Sequence, residues 1–159
     1  MSIDDAVEIG HVHLKVSDID RALGFWRDVL GFDFVQRMGD QAAFLSAGGY
    51  HHHIGLNTWE SIGAPPPPRK TTGLYHVAVR YPNRSTLADA VRRVLDAGIA
   101  LTGASEHGVS EAIYLRDPDD NGVELYRDRP MSEWPRTEDG GIAMFSAPLD
   151  LQGLLAELD

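Results

Sequence analysis

The sequence predicts an α+β fold made of two β-α-β-β-β modules. Two observations carry that prediction. The stretch Ile9-Gly10-His11-Val12-His13-Leu14-Lys15-Val16 is echoed by Leu74-Tyr75-His76-Val77-Ala78-Val79-Arg80, a histidine at the mouth of an alternating strand in both cases, 65 residues apart (76 minus 11). Each copy is followed by an amphipathic helical pattern and then by three strand-like runs, with the proline run Pro65 to Pro68 between the two series.

In the first module (9–59), residues 9–16 alternate His11, His13 and Lys15 against Val12, Leu14 and Val16, the pattern of a half-buried strand. Ser17-Asp18 offers a helix N-cap, and Ile19, Ala22, Leu23, Trp26, Val29 and Leu30 recur at helical spacing up to Gly31, which predicts one α-helix with a glycine C-cap. Strands are expected over 32–37, 41–46 and 50–59, separated by turns at 38–40 and 47–49. Residues 60–72 read as a linker stiffened by its prolines. In the second module (73–128), a strand over 74–81 precedes a helix capped by Ser85 and carrying Leu87, Ala90, Val91, Val94 and Leu95. Three strands then follow, over 99–104, 111–116 and 122–128, the last two joined by the turn-rich Asp117-Pro118-Asp119-Asp120-Asn121-Gly122. In the tail (129–159), residues 129–147 read as irregular, and 149–158 as a short helix apolar at Leu151, Leu154, Leu155 and Leu158.

The 159 residues suffice for one domain built from two fused repeats, with a core that needs no covalent staple. A formal net charge of −10 argues against nucleic acid and anionic membrane as partners. With no cysteine there is no disulfide, thiolate metal site or cysteine nucleophile. The acidic start lacks the apolar segment of a signal peptide, and no apolar run reaches membrane-spanning length, so a soluble, cytoplasmic protein is expected.

Four segments taken in order, His11-Val12-His13-Leu14-Lys15-Val16-Ser17-Asp18, Phe25-Trp26-Arg27-Asp28-Val29-Leu30-Gly31-Phe32, Tyr75-His76-Val77-Ala78 and Asp117-Pro118-Asp119-Asp120-Asn121-Gly122-Val123-Glu124-Leu125-Tyr126, resemble the vicinal oxygen chelate superfamily. That superfamily includes glyoxalase I, extradiol dioxygenases and antibiotic resistance proteins. The resemblance implies that the two modules curve as a mixed sheet around a metal. It also implies ligands at His11, His76 and Glu124, and a fourth ligand position, filled in glyoxalase I, that falls at Gly55. Two histidines and one carboxylate with open positions are the ligand set of a non-haem Fe(II) oxygenase, with Mn(II) as the alternative ion. The histidine run His51-His52-His53 and the segments around it look most like catechol-2,3-dioxygenase-like proteins. By that likeness His52 is the acid–base residue, while alternation from Gly55 points His53 inward instead. Tyr114 is matched to a tyrosine that binds a substrate oxygen, and His107 to a further site histidine.

The expected function is therefore cleavage of a catechol-like aromatic substrate with O2. A glyoxalase-like metal-dependent isomerase or lyase is one alternative, and a non-catalytic protein that sequesters an aromatic antibiotic is the other. The superfamily also implies a homodimer, with Trp134, Phe145 and the terminal helix as candidate contacts.

Overall fold

A computed structural model describes residues 2–158. The chain divides into two compact units, Met1–Pro65 and Pro66–Asp159, so the boundary falls inside the proline run.

The first unit holds a mixed four-stranded sheet in the order β1-β4-β3-β2, from β1 (Val12–Lys15), β2 (Asp33–Met38), β3 (Ala42–Ser46) and β4 (Ile54–Asn57). The first and last strands lie side by side in parallel, with Val12 beside Ile54, His13 beside Gly55 and Leu14 beside Leu56. One face of the sheet is core: Leu14, Leu45, Ile54 and Leu56 are buried there, and Ala43 lies level with Leu56. The residues of alternate parity, His13, Gly55 and Phe44, share the other face, because Phe44 lies level with Gly55.

The helix between β1 and β2 departs from the expected regular form. It is α-helical as α1 (Ile19–Leu23), capped by the Asp18 carboxylate on the Arg21 N–H, and then π-helical over Gly24–Val29. The wider turn, seen in the Leu30 N–H bond to the Phe25 carbonyl at 3.0 Å, lets neighbouring Phe25 and Trp26 both turn inward. Their rings meet edge to face at 5.2 Å. Gly31, at φ +83°, ends the helix as anticipated.

A second correction concerns the fourth strand. It begins at Ile54, so the three histidines expected within it form an approach loop instead. Gly48 and Gly49 both take positive φ there, and the chain joins the sheet through the His53 N–H bond to the Leu45 carbonyl and the Val12 N–H bond to the His53 carbonyl.

The second unit repeats the plan as a five-stranded sheet ordered β5-β8-β7-β6-β9. Its strands are β5 (Val77–Arg80), β6 (Leu101–Glu106), β7 (Ser110–Arg116), β8 (Gly122–Asp128) and β9 (Ala147–Pro148). Again the first and last strands of the module pair in parallel, with Ala78 beside Glu124. The helix α2 (Arg84–Asp96) buries Leu87, Val91 and Val94, and its cap is Asn83, whose side chain accepts from the Thr86 N–H. The expected cap Ser85 is already helical, and its hydroxyl donates to Asn83.

The tail is less irregular than its composition reads. Ala147–Pro148 pairs with the end of β6, and α3 (Leu151–Leu155) packs on α2 with Leu154 fully buried. Charges lock this arrangement. Glu111, almost wholly buried, accepts from Arg127 at 2.6 Å and from Arg84 at 3.2 Å, and Arg84 reaches on to the Gly153 carbonyl and Glu157.

Glu106 holds Arg129 through both carboxylate oxygens and accepts from the Gly108 N–H. The guanidinium is the main reason the Glu106 carboxyl titrates below the usual carboxylate range. A depressed folded-state pKa contributes stability that is complete above the unfolded value, near 4.5, and lost as pH falls through the folded one. Glu106→Gln should therefore cost about 1.5–3 kcal/mol at neutral pH. The gap to the wild type, followed by urea titration, should close as the pH drops below that range; a gap independent of pH would show that the pair contributes no charge-dependent stability.

Candidate functional site

In the second unit the site face of the sheet is set by strand parity. Val77, Val79, Val123 and Leu125 point to the core side, which leaves Ala78, Glu124 and Tyr114 together on the other, since Tyr114 is level with Glu124. His76 lies one residue before β5, on the same parity as Ala78. Its Nε2 is 2.8 Å from Glu124 Oε2. Gly122, two residues before Glu124, permits this approach: a Cβ there would stand 2.0 Å from the Tyr75 carbonyl oxygen and 3.0 Å from His76 Cβ.

Two features suit this pair to a divalent ion. Donors about 2.0–2.2 Å from one ion and roughly at right angles lie about 3 Å apart, close to the separation seen between His76 and Glu124. The other imidazole nitrogen, His76 Nδ1, is buried and has no hydrogen-bond partner, so nothing but Glu124 competes for the ring. Among the described residues no group of three or more His, Cys, Asp or Glu side chains converges as a metal cage; His11, the remaining ligand implied by the resemblance, belongs to the first unit.

Tyr114 and His107 are joined by a hydrogen bond. Tyr114 OH is 2.8 Å from His107 Nε2, and His107 Nδ1 is 2.9 Å from the Phe145 carbonyl oxygen. A carbonyl only accepts, so Nδ1 carries a proton, and in the neutral ring Nε2 accepts from the phenol. Burial first, then the neighbouring Glu124 carboxylate, pushes the Tyr114 pKa up to about 12, so the phenol keeps its proton. A cleft of about 290 Å³ opens beside this group, lined by Tyr75, His76, Thr102, Tyr114, Arg116 and Gly122. That is room for a small molecule of one or two rings. Phe145 thus serves its own unit through its carbonyl, and Trp134 does so through its indole N–H, which donates to the Arg129 carbonyl at 2.8 Å.

The first unit gathers rings on the matching face. His11 lies one residue before β1, and its ring meets that of His52 at 4.5 Å. His52 also packs edge to face on Phe44 at 5.1 Å. Loss of water around the ring, then the neighbouring His11 and His51, hold its pKa below the ordinary histidine value, so it is neutral at pH 7. His53 is engaged elsewhere: its Nδ1 accepts from the Ala47 N–H at 3.3 Å and lies 3.1 Å from Ser46 Oγ, while its ring lies on Tyr50. His51 is exposed and contacts His52 through Nδ1.

One residue that sequence reasoning passed over is His13. Its ring stands over Gly55, between Phe44 at 6.0 Å and Trp59 at 5.3 Å. The signal was available: His13 shares the parity of His11, and glycine in the opposing strand leaves room for a ring.

The family model for the glyoxalase/bleomycin resistance protein/dioxygenase superfamily matches residues 8–125. A catechol-2,3-dioxygenase of Bacillus subtilis (strain 168) is 40% identical over 98% of the chain and 54% of its own length. A biphenyl-2,3-diol 1,2-dioxygenase of Rhodococcus globerulus is 32% identical over 76% of the chain and 63% of its own length. The chain thus spans between about half and two thirds of the length of these relatives. Among solved structures, a glyoxalase/bleomycin resistance protein/dioxygenase domain from Frankia sp. EAN1pec superposes with a TM-score of 0.65 at 24% identity, covering 79% of this chain and all of that one. No helix among the described residues is long and apolar enough to cross a membrane.

Proposed function

The chain belongs to the glyoxalase/bleomycin resistance protein/dioxygenase superfamily, and from that premise we propose that it is an Fe(II)-dependent extradiol-type dioxygenase acting on a catechol-like substrate. The observation that supports this reading most directly is a difference between the two units. His76 is paired with a carboxylate on the strand beside it, whereas the corresponding position beside His11 is Gly55. Ligands at His11, His76 and Glu124 would leave three positions of a six-coordinate ion for a chelating substrate and O2, one more than a four-ligand isomerase site leaves. Mn(II) fits the same donors.

When bound, the ion would supply Lewis acidity towards the substrate hydroxyls and redox chemistry towards O2. The chain's own groups do the rest. His52, neutral and beside His11, takes a proton from a substrate hydroxyl and returns it later in the cycle. His53 is assigned no such role, because its Nδ1 accepts from the Ala47 N–H. Tyr114 presents a protonated phenol beside Glu124, and a proton taken up by His107 Nε2 would free that O–H to face a developing oxyanion. The overall reaction balances without an added reductant: one carbon–carbon bond of the ring breaks, and both atoms of O2 enter the ring-opened product.

Oxygen uptake by protein loaded anaerobically with Fe(II), offered a panel of catechols, tests the proposal. Uptake dependent on iron supports it; none from protein shown to hold one Fe(II) per chain overturns it. His52→Ala should lower kcat by about 100-fold to 10,000-fold with iron content unchanged. An unchanged kcat would move the acid–base role away from this residue.

A further inference from the structure

We propose that His13 sets the number of protein ligands in the first unit's half of the site, by occupying the volume in which a ligand at position 55 would stand. The inference rests on the metal-site reading above for its functional meaning, but its structural part stands on the first unit alone.

The two units are in matching register. Val12 pairs with Ile54 as Val77 pairs with Val123, and His13 with Gly55 as Ala78 with Glu124. The antiparallel neighbours agree, since Phe44 is level with Gly55 and Tyr114 with Glu124. Position 55 therefore corresponds to 124, and 13 to 78. In the second unit the pair is small beside large, Ala78 with Glu124, and the carboxylate reaches His76 Nε2. In the first the sizes are exchanged. The His13 ring fills the gap over Gly55, and a Cβ on Gly55 would lie 3.0 Å from its Cγ and Cδ2 and 3.1 Å from Nδ1. Ring carbons do not yield at that distance without rotating the side chain, and Phe44 and Trp59 stand on either side of it. A glutamate at 55 would require this ring to give way or rotate from its place between Phe44 and Trp59 before it could face His11 as Glu124 faces His76.

Gly55 alone makes a ligand absent. His13 makes the position resistant to acquiring one, so that a single substitution at 55 is not enough to convert the ligand set. The same ring walls the place left open, and a small molecule held beside His11 would meet imidazole rather than carboxylate. His13 is thus a positioning residue that keeps the first unit's contribution to one donor.

Four variants test this: Gly55→Ala, Gly55→Glu, His13→Ala with Gly55→Ala, and His13→Ala with Gly55→Glu. Melting of metal-free protein reads the packing. Gly55→Ala should lower Tm by about 2–4 °C, and adding His13→Ala should recover most of that loss. Additive shifts would overturn the packing claim whatever the metal does. Mn(II) affinity by anaerobic equilibrium dialysis, with the Co(II) absorption spectrum as a report of coordination, reads the ligand count. The double variant with glutamate should bind Mn(II) at least about 10-fold more tightly than wild type, while Gly55→Glu alone should gain nothing or fail to fold. An equal gain from Gly55→Glu alone would overturn the proposal. A wild type that holds neither ion would instead defeat the metal-site reading, with the melting cycle still deciding whether His13 and Gly55 are coupled.

Discussion

His76→Ala should yield a folded protein that retains no metal and consumes no oxygen. His76 lies outside β5 and is only half-buried, so its removal leaves the sheet register, carried by Val77–Arg80 against Val123–Tyr126, intact. What it removes is the imidazole whose Nε2 stands 2.8 Å from Glu124 Oε2. Loss of groups that merely orient a ligand costs metal affinity about 10-fold to 100-fold, and loss of the ligand itself should exceed that range. Iron content after gel filtration and oxygen uptake, measured on the same sample with far-ultraviolet circular dichroism as the check on folding, decide the matter. Full iron occupancy in a natively folded variant would remove His76 from the ligand set.

Gly122→Ala should be the most damaging small change in the second unit. A methyl group there would stand 2.0 Å from the Tyr75 carbonyl oxygen. The neighbour is backbone, so it cannot swing away as a side chain would, and either β8 or the segment ahead of β5 has to move. Overpacking of this kind costs about 1–3 kcal/mol, and a backbone clash belongs at the upper end. For a chain of this size that is a fall in Tm of about 6–12 °C. The displaced segment carries His76, so metal affinity should fall alongside stability. Gly39→Ala is the contrast: φ is +57° but nothing lies within 4 Å, so it should cost only the strain of a left-handed residue, about 1 kcal/mol, with metal affinity unchanged. Wild-type melting and metal binding in Gly122→Ala would mean that the close approach of Tyr75 is not needed to hold His76 in place.

The repeat was legible because its signals are local. A histidine at a strand mouth, an alternating strand and a helix ended by glycine are each written within a few residues, and each recurs in the structure at His11 and His76, β1 and β5, Gly31 and Gly98. What escaped reading depends on partners remote in sequence or on a single residue of pitch. The π-helical turn over Gly24–Val29 keeps the apolar spacing of an ordinary helix to within one residue, so periodicity does not reveal it. Strand β9 is two residues long and includes a proline, and it is a strand only because the end of β6 offers it a partner. Asn83 takes the cap from Ser85 because helix α2 begins at Arg84, two residues earlier than a helix capped by Ser85 would. Among the site candidates, the family likeness favours His52 while strand alternation favours His53. Their separation comes from the loop that precedes β4, which turns one ring to His11 and ties the other to Ala47 and Ser46. His13 looked like one more alternating strand residue until the parallel pairing of β1 with β4 set it against a glycine.

That parallel pairing has a consequence for how the protein would meet the proposed ion. In the second unit the two donors sit at the opening and closing strands of the module, with α2, β6 and β7 between them in the chain. They become neighbours only when the module has finished folding, so the unfolded chain offers at best a much weaker site. Binding is then linked to folding: an ion present at 100 times its dissociation constant adds about 2.7 kcal/mol to the stability of the native state. A chelator should act on this protein as a mild denaturant. Protection of the β5 and β8 amides from hydrogen exchange should rise and fall with free metal, which would make the starved protein the form most open to proteolysis.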